Sequence, residues 1–571
     1  MENEAGGDCC SRPALGALFL LLLASAGILA ANFPGKFDLR NGDESFYVHS
    51  GLAMWEGITP SAKYAPAGPQ TWISWVYAAG YSARDFIRPG AEVRAAPGVL
   101  KPFVAANQAL FDIYRDWHVL REIEVGANDL VFLAAVAAGF GLGWKRAKGF
   151  PLAGAILVGG MTAALPLFVR LSGEARPYVM AWSFGIIALY FSAGPRRRGC
   201  ASAIALGLGI GCRVDMVLLL PLVFADLAEG DGTIGVRVGK SARYTLVVAL
   251  VVYLIAPWSV TNLIGNLRSI ATVGLARPKG GWVSISNTLR EIFWSNGLGV
   301  VLALGVAGLI FVKPWGRKVA AVYVLLLAAS MLKATAWGLQ HQGGPVVAVI
   351  TFSAVGLAIV GERWPRAVWW VVGAAILLPM IQTVRDVHQR RAAYVQDYAV
   401  AWLQRHVPAG TIVYTTEEIK NPLPTAAAAD AIWDEVNHTG AWTLKVTTSL
   451  KRFNVGAVNL PRAFSEEDMI LEKGIRRGWY ILGSRPTLDV PRYDIRIFND
   501  SPIYSMSQDD VAEMYRKDGG VLIDYDNHGP PPKDVGAPVI EWVNAQGYGC
   551  HIYCSGDVMA HLIDAQNISA W

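Results

Sequence analysis

The amino-acid sequence predicts a polytopic α-helical membrane protein, with about eleven transmembrane helices followed by a C-terminal soluble α/β domain. Three observations carry that expectation. Apolar runs approaching the ~20 residues needed to cross a bilayer recur between residues 14 and 384. Charged residues make up 17% of the chain and hydrophobic ones 53%, whereas a soluble domain carries roughly 25% charge. From about residue 385 the pattern becomes that of an ordinary soluble domain, with short apolar strands between Gly and Pro turns.

The first run, residues 14–33, contains Ala24-Ser25-Ala26, a small-residue pattern like that of a signal-peptide cleavage site. The segment before it is acidic with a single Arg12, and the run continues to Ala31, so an uncleaved anchor is expected. Further spans are expected at 127–144, 150–169, 177–193, 200–211, 214–227, 244–264, 296–312, 319–334, 345–360 and 367–384. The fifth and sixth are short, and a single kinked helix is the other reading of them. Loop charge favours two crossings. With the N-terminus inside, Lys145, Arg146 and Lys148, then Arg196 to Arg198, Arg237, Lys240 and Arg243, Lys313, Arg317 and Lys318, and Arg363 with Arg366 all fall in cytoplasmic loops. Positive charge is retained on that side of a membrane. The expected location is the inner (plasma) membrane, with residues 34–126, 262–295 and everything after 385 outside.

The first outer loop, residues 34–126, is too long for a simple connection. Its half-apolar stretches 71–81 and 103–122 are expected to be helices lying in the interface. In the domain at 385–571, residues 392–406 read as an amphipathic helix, and 411–414, 479–482, 493–498 and 520–523 as strands. Cys550 and Cys554 lie in an oxidising compartment under this topology; their spacing is open to a disulfide and does not fix one.

The charge that departs from the inside bias is informative. Asp43-Glu44 follows the first span by about ten residues, and Arg170, Arg176, Arg213 and Lys333 fall at outer helix ends. A cation beside hydrocarbon is costly, so it either snorkels to lipid headgroups or holds a ligand. Several converging on the rim that carries an acidic pair favour a phosphate site, because the planar guanidinium fork binds phosphate bidentately and stays charged. Pro177 fits the first turn of a helix, where its missing N–H costs nothing, so Arg176 stands at that helix mouth, facing outward. Arg213 and Asp215 share a tight turn, and a mutual salt bridge there is as well supported as ligand contact.

The order of these motifs resembles the GT-C superfamily of membrane glycosyltransferases, near the protein O-mannosyltransferases and the aminoarabinose transferases that modify lipid A. The carrying residues are Asp43-Glu44 with Tyr47, then Gly57, Tyr64 and Pro69, then Glu174-Ala175-Arg176-Pro177-Tyr178, and a Gly-rich span leading into Arg213-Val214-Asp215. The resemblance covers residues 14–224 and extends to the later spans by topology alone. It implies a GT-C-like catalytic domain at 1–384 and transfer of a sugar from a polyprenyl-phosphate donor to a hydroxyl of a glycan, lipid or protein acceptor, with inversion. It implies Asp43 as general base and Glu44 orienting the acceptor. Arg176, Lys63 and Arg213 would bind the donor phosphate, and Tyr47, Tyr64 and Tyr178 the substrates. Relatives often carry an Arg-Tyr pair entering a late span; here the loop from Trp337 to Pro345 lacks it, and His341 is the candidate in its place.

Other classes fit less well. A net charge of +5 over 571 residues gives no sign of a nucleic-acid partner. The six cysteines show no metal-ligand spacing, no metal site is expected, and a divalent ion has no supporting signal. Asp524 to Gly529 lacks the full ligand series of a calcium loop and reads as a turn, and Asn437, Asn499 and Asn567 match a glycan-acceptor pattern that recurs by chance. The competing function is a transporter or flippase of a lipid-linked or anionic solute. That class places its charge near mid-membrane. A scaffold anchored by its spans is the weakest reading, since anchoring needs far fewer.

Overall fold

The Leu- and Ala-rich run after Arg12 forms one helix, α1 (Arg12–Asn32), unbroken through Ala24 to Ala26. A computed structural model describes residues 12–33, 101–174, 176–193, 198–228, 233–255, 286, 289–311, 343–392, 412–415, 494–497, 519–525, 539–545 and 548–554. Asp43, Glu44, Tyr47, Lys63, Tyr64 and His341 lie outside these residues, as do the span expected at 319–334, the 71–81 stretch and the 479–482 strand.

The helical unit continues with α2 (Lys101–Arg146), α3 (Pro151–Ala164), α4 (Pro166–Ser172), α5 (Pro177–Ser192) and α6 (Gly199–Cys212). A 3₁₀ segment (Val214–Leu219) leads into α7 (Leu220–Ala228), followed by α8 (Ile234–Ile255), α9 (Gly299–Phe311), α10 (Gly343–Arg363) and α11 (Val368–Ala392). Among the described residues, five helices are long and apolar enough to cross a membrane: α1, the Ile123–Arg146 part of α2, the Gly235–Ile255 part of α8, α10, and Pro365–His388. The bent pair α3 and α4 makes a sixth if it is one span, and α5, α6 and α9 are shorter apolar helices. These helices are those of a membrane protein.

The helices differ from the sequence reading at three places. The 103–122 stretch is helical but continuous with the following span in α2, not a separate element. The basic residues Arg237, Lys240 and Arg243 fall inside α8, not in a loop; Arg and Lys are good helix formers. The 150–169 segment bends by 48° between α3 and α4. Pro166 removes a backbone donor at that point, and side chains from distant helices satisfy the groups left over. Leu167 N–H donates to Asn296 Oδ1 at 3.0 Å, and Thr383 Oγ1 donates to the Ala164 carbonyl at 2.6 Å.

Glycine sets how closely these helices approach. A Cβ on Gly305 or Gly308 of α9 would strike the carbonyls of Val349 and Phe352 on α10, and one on Gly356 would strike that of Leu304. Small residues let helix backbones touch where no hydrophobic effect drives association. In α6, a Cβ on Gly209 would lie 3.2 Å from the Ala181 carbonyl of α5, and Gly207 and Gly211 are backed by Val251 and Ile255 of α8. An aromatic ladder fills the space behind α5. Phe132 meets Phe168 at 6.2 Å between ring centroids, Phe168 meets Trp182 at 4.9 Å, and Trp182 meets Tyr178 at 6.4 Å.

At the C-terminal end of α5, Lys145 Nζ donates to the carbonyls of Tyr190 and Ala193 at 2.9 and 3.1 Å. Arg146 pairs there with Asp226 at 2.5 Å, and Asp226 also accepts from Ser192 Oγ. Cations are favoured where a helix leaves its last carbonyls unpaired.

A second compact unit takes in the residues after His388 together with the part of α2 up to Ile123. Its described strands are β1 (Ile412–Thr415), β2 (Asp494–Ile497), β3 (Val521–Tyr525), β4 (Val539–Ala545) and β5 (Tyr548–Cys554), in the sheet order β2-β1-β3-β5-β4. β1 runs parallel to β2 and β3; β5 is antiparallel to β3 and β4. Cys550 and Cys554 sit four positions apart on β5. Their Cα atoms are therefore separated by about 13 Å at the rise of an extended strand, beyond the ~7 Å limit for a disulfide.

Candidate functional site

The connection between α4 and α5 is short, and its shape is held from outside. Glu174 N–H donates to the Leu171 carbonyl at 3.2 Å, and Arg176 N–H to the Glu174 carbonyl at 2.7 Å. One turn into the apolar part of α2, the Asn128 amide donates to the carbonyls of Glu174 and Arg176 at 3.2 and 3.4 Å. At the end of α1, the Asn32 amide donates to the Val169 carbonyl and to Ser172 Oγ. The loop that carries Arg176 is thus pinned by two asparagines from helices far away in sequence.

Arg176 is the residue before Pro177 and has extended backbone (φ −137°, ψ 150°), as a residue preceding proline must. The sequence reading placed it at the helix mouth facing outward. It is at the mouth, but its side chain turns inward and is only 3% exposed. Its Nη1 donates to Glu174 Oε2 at 3.1 Å and its Nη2 to the Tyr178 hydroxyl at 3.0 Å. Burial explains the turn: a guanidinium among apolar helices needs its own carboxylate, and Glu174 is equally buried.

Arg213 reaches the same tyrosine from α6. The helix ends at Cys212, and Arg213 is extended (φ −155°, ψ 126°) before the 3₁₀ segment starts. Close packing of α6 on α5 through Gly209 sets the approach. The Arg213 guanidinium carbon lies 4.0 Å from the centroid of the Tyr178 ring, and that of Arg176 lies 4.5 Å from it. Arg213 Nε also donates to Asp215 Oδ1 at 2.9 Å, the mutual salt bridge that the sequence left open against ligand contact. Arg170 is exposed in the last turn of α4.

Of the residues singled out from sequence, the structure therefore brings Arg176, Tyr178 and Arg213 together, with Glu174 and Asp215 of the same motifs as their carboxylates. The sequence reading missed Asn128 and its neighbour one turn earlier, Glu124, which is fully buried. The signal available was a polar pair at i and i+4, one helix face, just ahead of an apolar run. Among the described residues no group of three or more His, Cys, Asp or Glu side chains could hold a metal ion. Chemically, the arrangement brings two guanidinium groups to one aromatic ring, and guanidinium groups bind anions of the phosphate type.

No family model matches the chain, and no curated protein matches it. The chain is similar in structure to several solved membrane enzymes of low sequence identity. They include ArnT from Cupriavidus metallidurans bound to undecaprenyl phosphate, 11% identical with a TM-score of 0.46 over 95% of this chain and 99% of that one. They also include the archaeal oligosaccharyltransferase AglB from Archaeoglobus fulgidus in complex with an inhibitory peptide and a dolichol-phosphate, 13% identical with a TM-score of 0.40. That match covers 70% of this chain, which spans 62% of the oligosaccharyltransferase's length.

Proposed function

We propose that the protein is a membrane glycosyltransferase that moves a sugar from a polyprenyl-phosphate donor to an acceptor hydroxyl at the outer face of the membrane. The observation that carries this reading is the meeting of Arg176 and Arg213 on Tyr178. The two arginines come from separate helix ends and are each paired with a carboxylate that keeps them oriented. A lipid phosphate entering there meets two guanidinium groups already held in orientation, which stabilise its charge as a leaving group. Lys63 adds a third cation on this reading.

Attack comes from the acceptor hydroxyl, a weak nucleophile that needs a base. Asp43 takes its proton, Glu44 orients it, and Tyr47, Tyr64, Tyr178 and His341 line the substrates. A single displacement inverts the anomeric centre. The chain has about eleven spans, a cytoplasmic N-terminus, and an extracytoplasmic α/β domain from residue 385. It resides in the inner membrane, acts on a glycan, lipid or protein acceptor, and has no metal requirement.

The test is sugar transfer in membranes carrying equal amounts of the parent or of Asp43→Asn, supplied with labelled polyprenyl-phosphate sugars. The reading predicts transfer by the parent and a fall of about 100-fold or more in the variant, the usual worth of a general base. Transfer retained by Asp43→Asn removes that residue as base. Movement of the lipid-linked sugar across the membrane without any transfer replaces the enzyme with a flippase.

A further inference from the structure

Four buried oxygen atoms at this end of the helical unit accept no hydrogen bond from any described group: both carboxyl oxygens of Glu124, Oδ1 of Asn128 and Oδ2 of Asp215. They belong to one neighbourhood. Glu124 and Asn128 are one turn apart on α2, and the Asn128 amide holds the Arg176 loop. The Glu124 carboxyl is within electrostatic reach of Cys212, the residue before Arg213. Asp215 is paired through its other oxygen to Arg213.

A buried acceptor left unpaired costs about 1–3 kcal/mol, more if charged, so four together are not explained by stability. Nor do they suit a phosphate, which offers oxygens and needs donors, as the arginines do. Their chemistry calls for a ligand rich in O–H or N–H donors next to an anion. We infer that Glu124, with Asn128 and Asp215, forms the seat for the hydroxyl groups of the transferred sugar, beside the arginines that hold the donor phosphate. This rests on the proposed lipid-phosphate donor and adds a sugar-binding role for residues that the catalytic reading does not use. Glu124 contributes most, because it alone has two unfilled oxygens and is fully buried.

The experiment measures binding of two kinds of probe to purified full-length protein in nanodiscs. One is undecaprenyl phosphate. The other is a panel of undecaprenyl phosphates bearing glucose, mannose, galactose or arabinose. The parent should bind at least one sugar-bearing lipid more tightly than the bare one. Glu124→Ala should abolish that preference, a loss of about 10-fold for the hydrogen bonds removed, while binding bare undecaprenyl phosphate within about 2-fold of the parent. Glu124→Gln, which keeps one acceptor and nearly the same shape, should lose part of the preference and melt no lower than the parent, since it relieves an unsatisfied carboxyl. If Glu124→Ala does not fold, Glu124→Gln decides by the same ratio. A preference undiminished in the folded variants overturns the inference. So does a parent that binds bare undecaprenyl phosphate but prefers no sugar, with the phosphate site left standing. A parent that binds neither probe overturns the lipid-phosphate reading itself, and the sugar seat with it.

Discussion

Arg176 illustrates what a single residue can carry at this site. It is buried, paired with Glu174 and bonded to the Tyr178 hydroxyl. Taking the charge off its partner leaves a guanidinium without compensation among apolar helices, which costs about 3–5 kcal/mol. Glu174→Gln should therefore lower the apparent melting temperature of the purified protein clearly. Undecaprenyl phosphate should recover part of the loss, because a phosphate in the site replaces the missing carboxylate. A variant that melts like the parent would show that Glu174 is not what holds Arg176. Pro177 located Arg176 at a helix start, since proline is tolerated there and restricts the residue before it. The inward turn of its side chain was not legible, because it depends on Asn128 and Glu174 closing the loop around it. Glu124 and Asn128 escaped notice for a related reason. They fall where an expected interfacial helix gives way to an expected span, and only the continuity of α2 puts them on one face.

At the scale of elements, the break between α3 and α4 is the clearest piece of design. Composition predicted one apolar crossing over 150–169, and composition carries no information about which distant side chain repairs a broken ladder. Asn296 does so from the C-cap of a π-helical turn (Glu291–Ser295), and Thr383 from α11. Asn296→Ala leaves the Leu167 N–H unsatisfied and should destabilise by about 1–3 kcal/mol, read as a lower melting temperature. Because α4 leads straight into the Arg176 loop, the same variant should also weaken binding of undecaprenyl phosphate. An unchanged melting temperature would mean that the bend does not need this bond. Gly343 is a second such position. Any Cβ there would collide with the buried Trp182 indole, so Gly343→Ala must push α10 off α5. Overpacking of this kind costs about 1–3 kcal/mol. The loop ahead of Gly343 drew attention in sequence through His341, whereas the constraint visible in the structure is the glycine after it.

For the whole molecule, hydropathy gave the most and local geometry the least. The apolar runs were legible because a bilayer demands length and composition of a helix, whatever its neighbours. Helix ends were less so: α8 begins ten residues before the span expected at 244, since its basic first turns look like loop in composition. The orientation argued from loop charge makes a direct prediction. Protease added outside intact cells or right-side-out vesicles should remove an epitope fused after residue 571 while leaving one fused before residue 1 intact. The reverse pattern would place the proposed acceptor side on the wrong face of the membrane. The central claim, that the arginines meeting on Tyr178 hold the phosphate of a lipid carrier, is tested most directly by comparing two lipids that differ only in that group. Binding of undecaprenyl phosphate and of undecaprenol should be measured on the parent and on Arg213→Ala in nanodiscs. The account predicts that the parent prefers the phosphate and that the variant loses about 10-fold or more of that affinity, with undecaprenol unaffected. Equal affinity of parent and folded variant for undecaprenyl phosphate would contradict it.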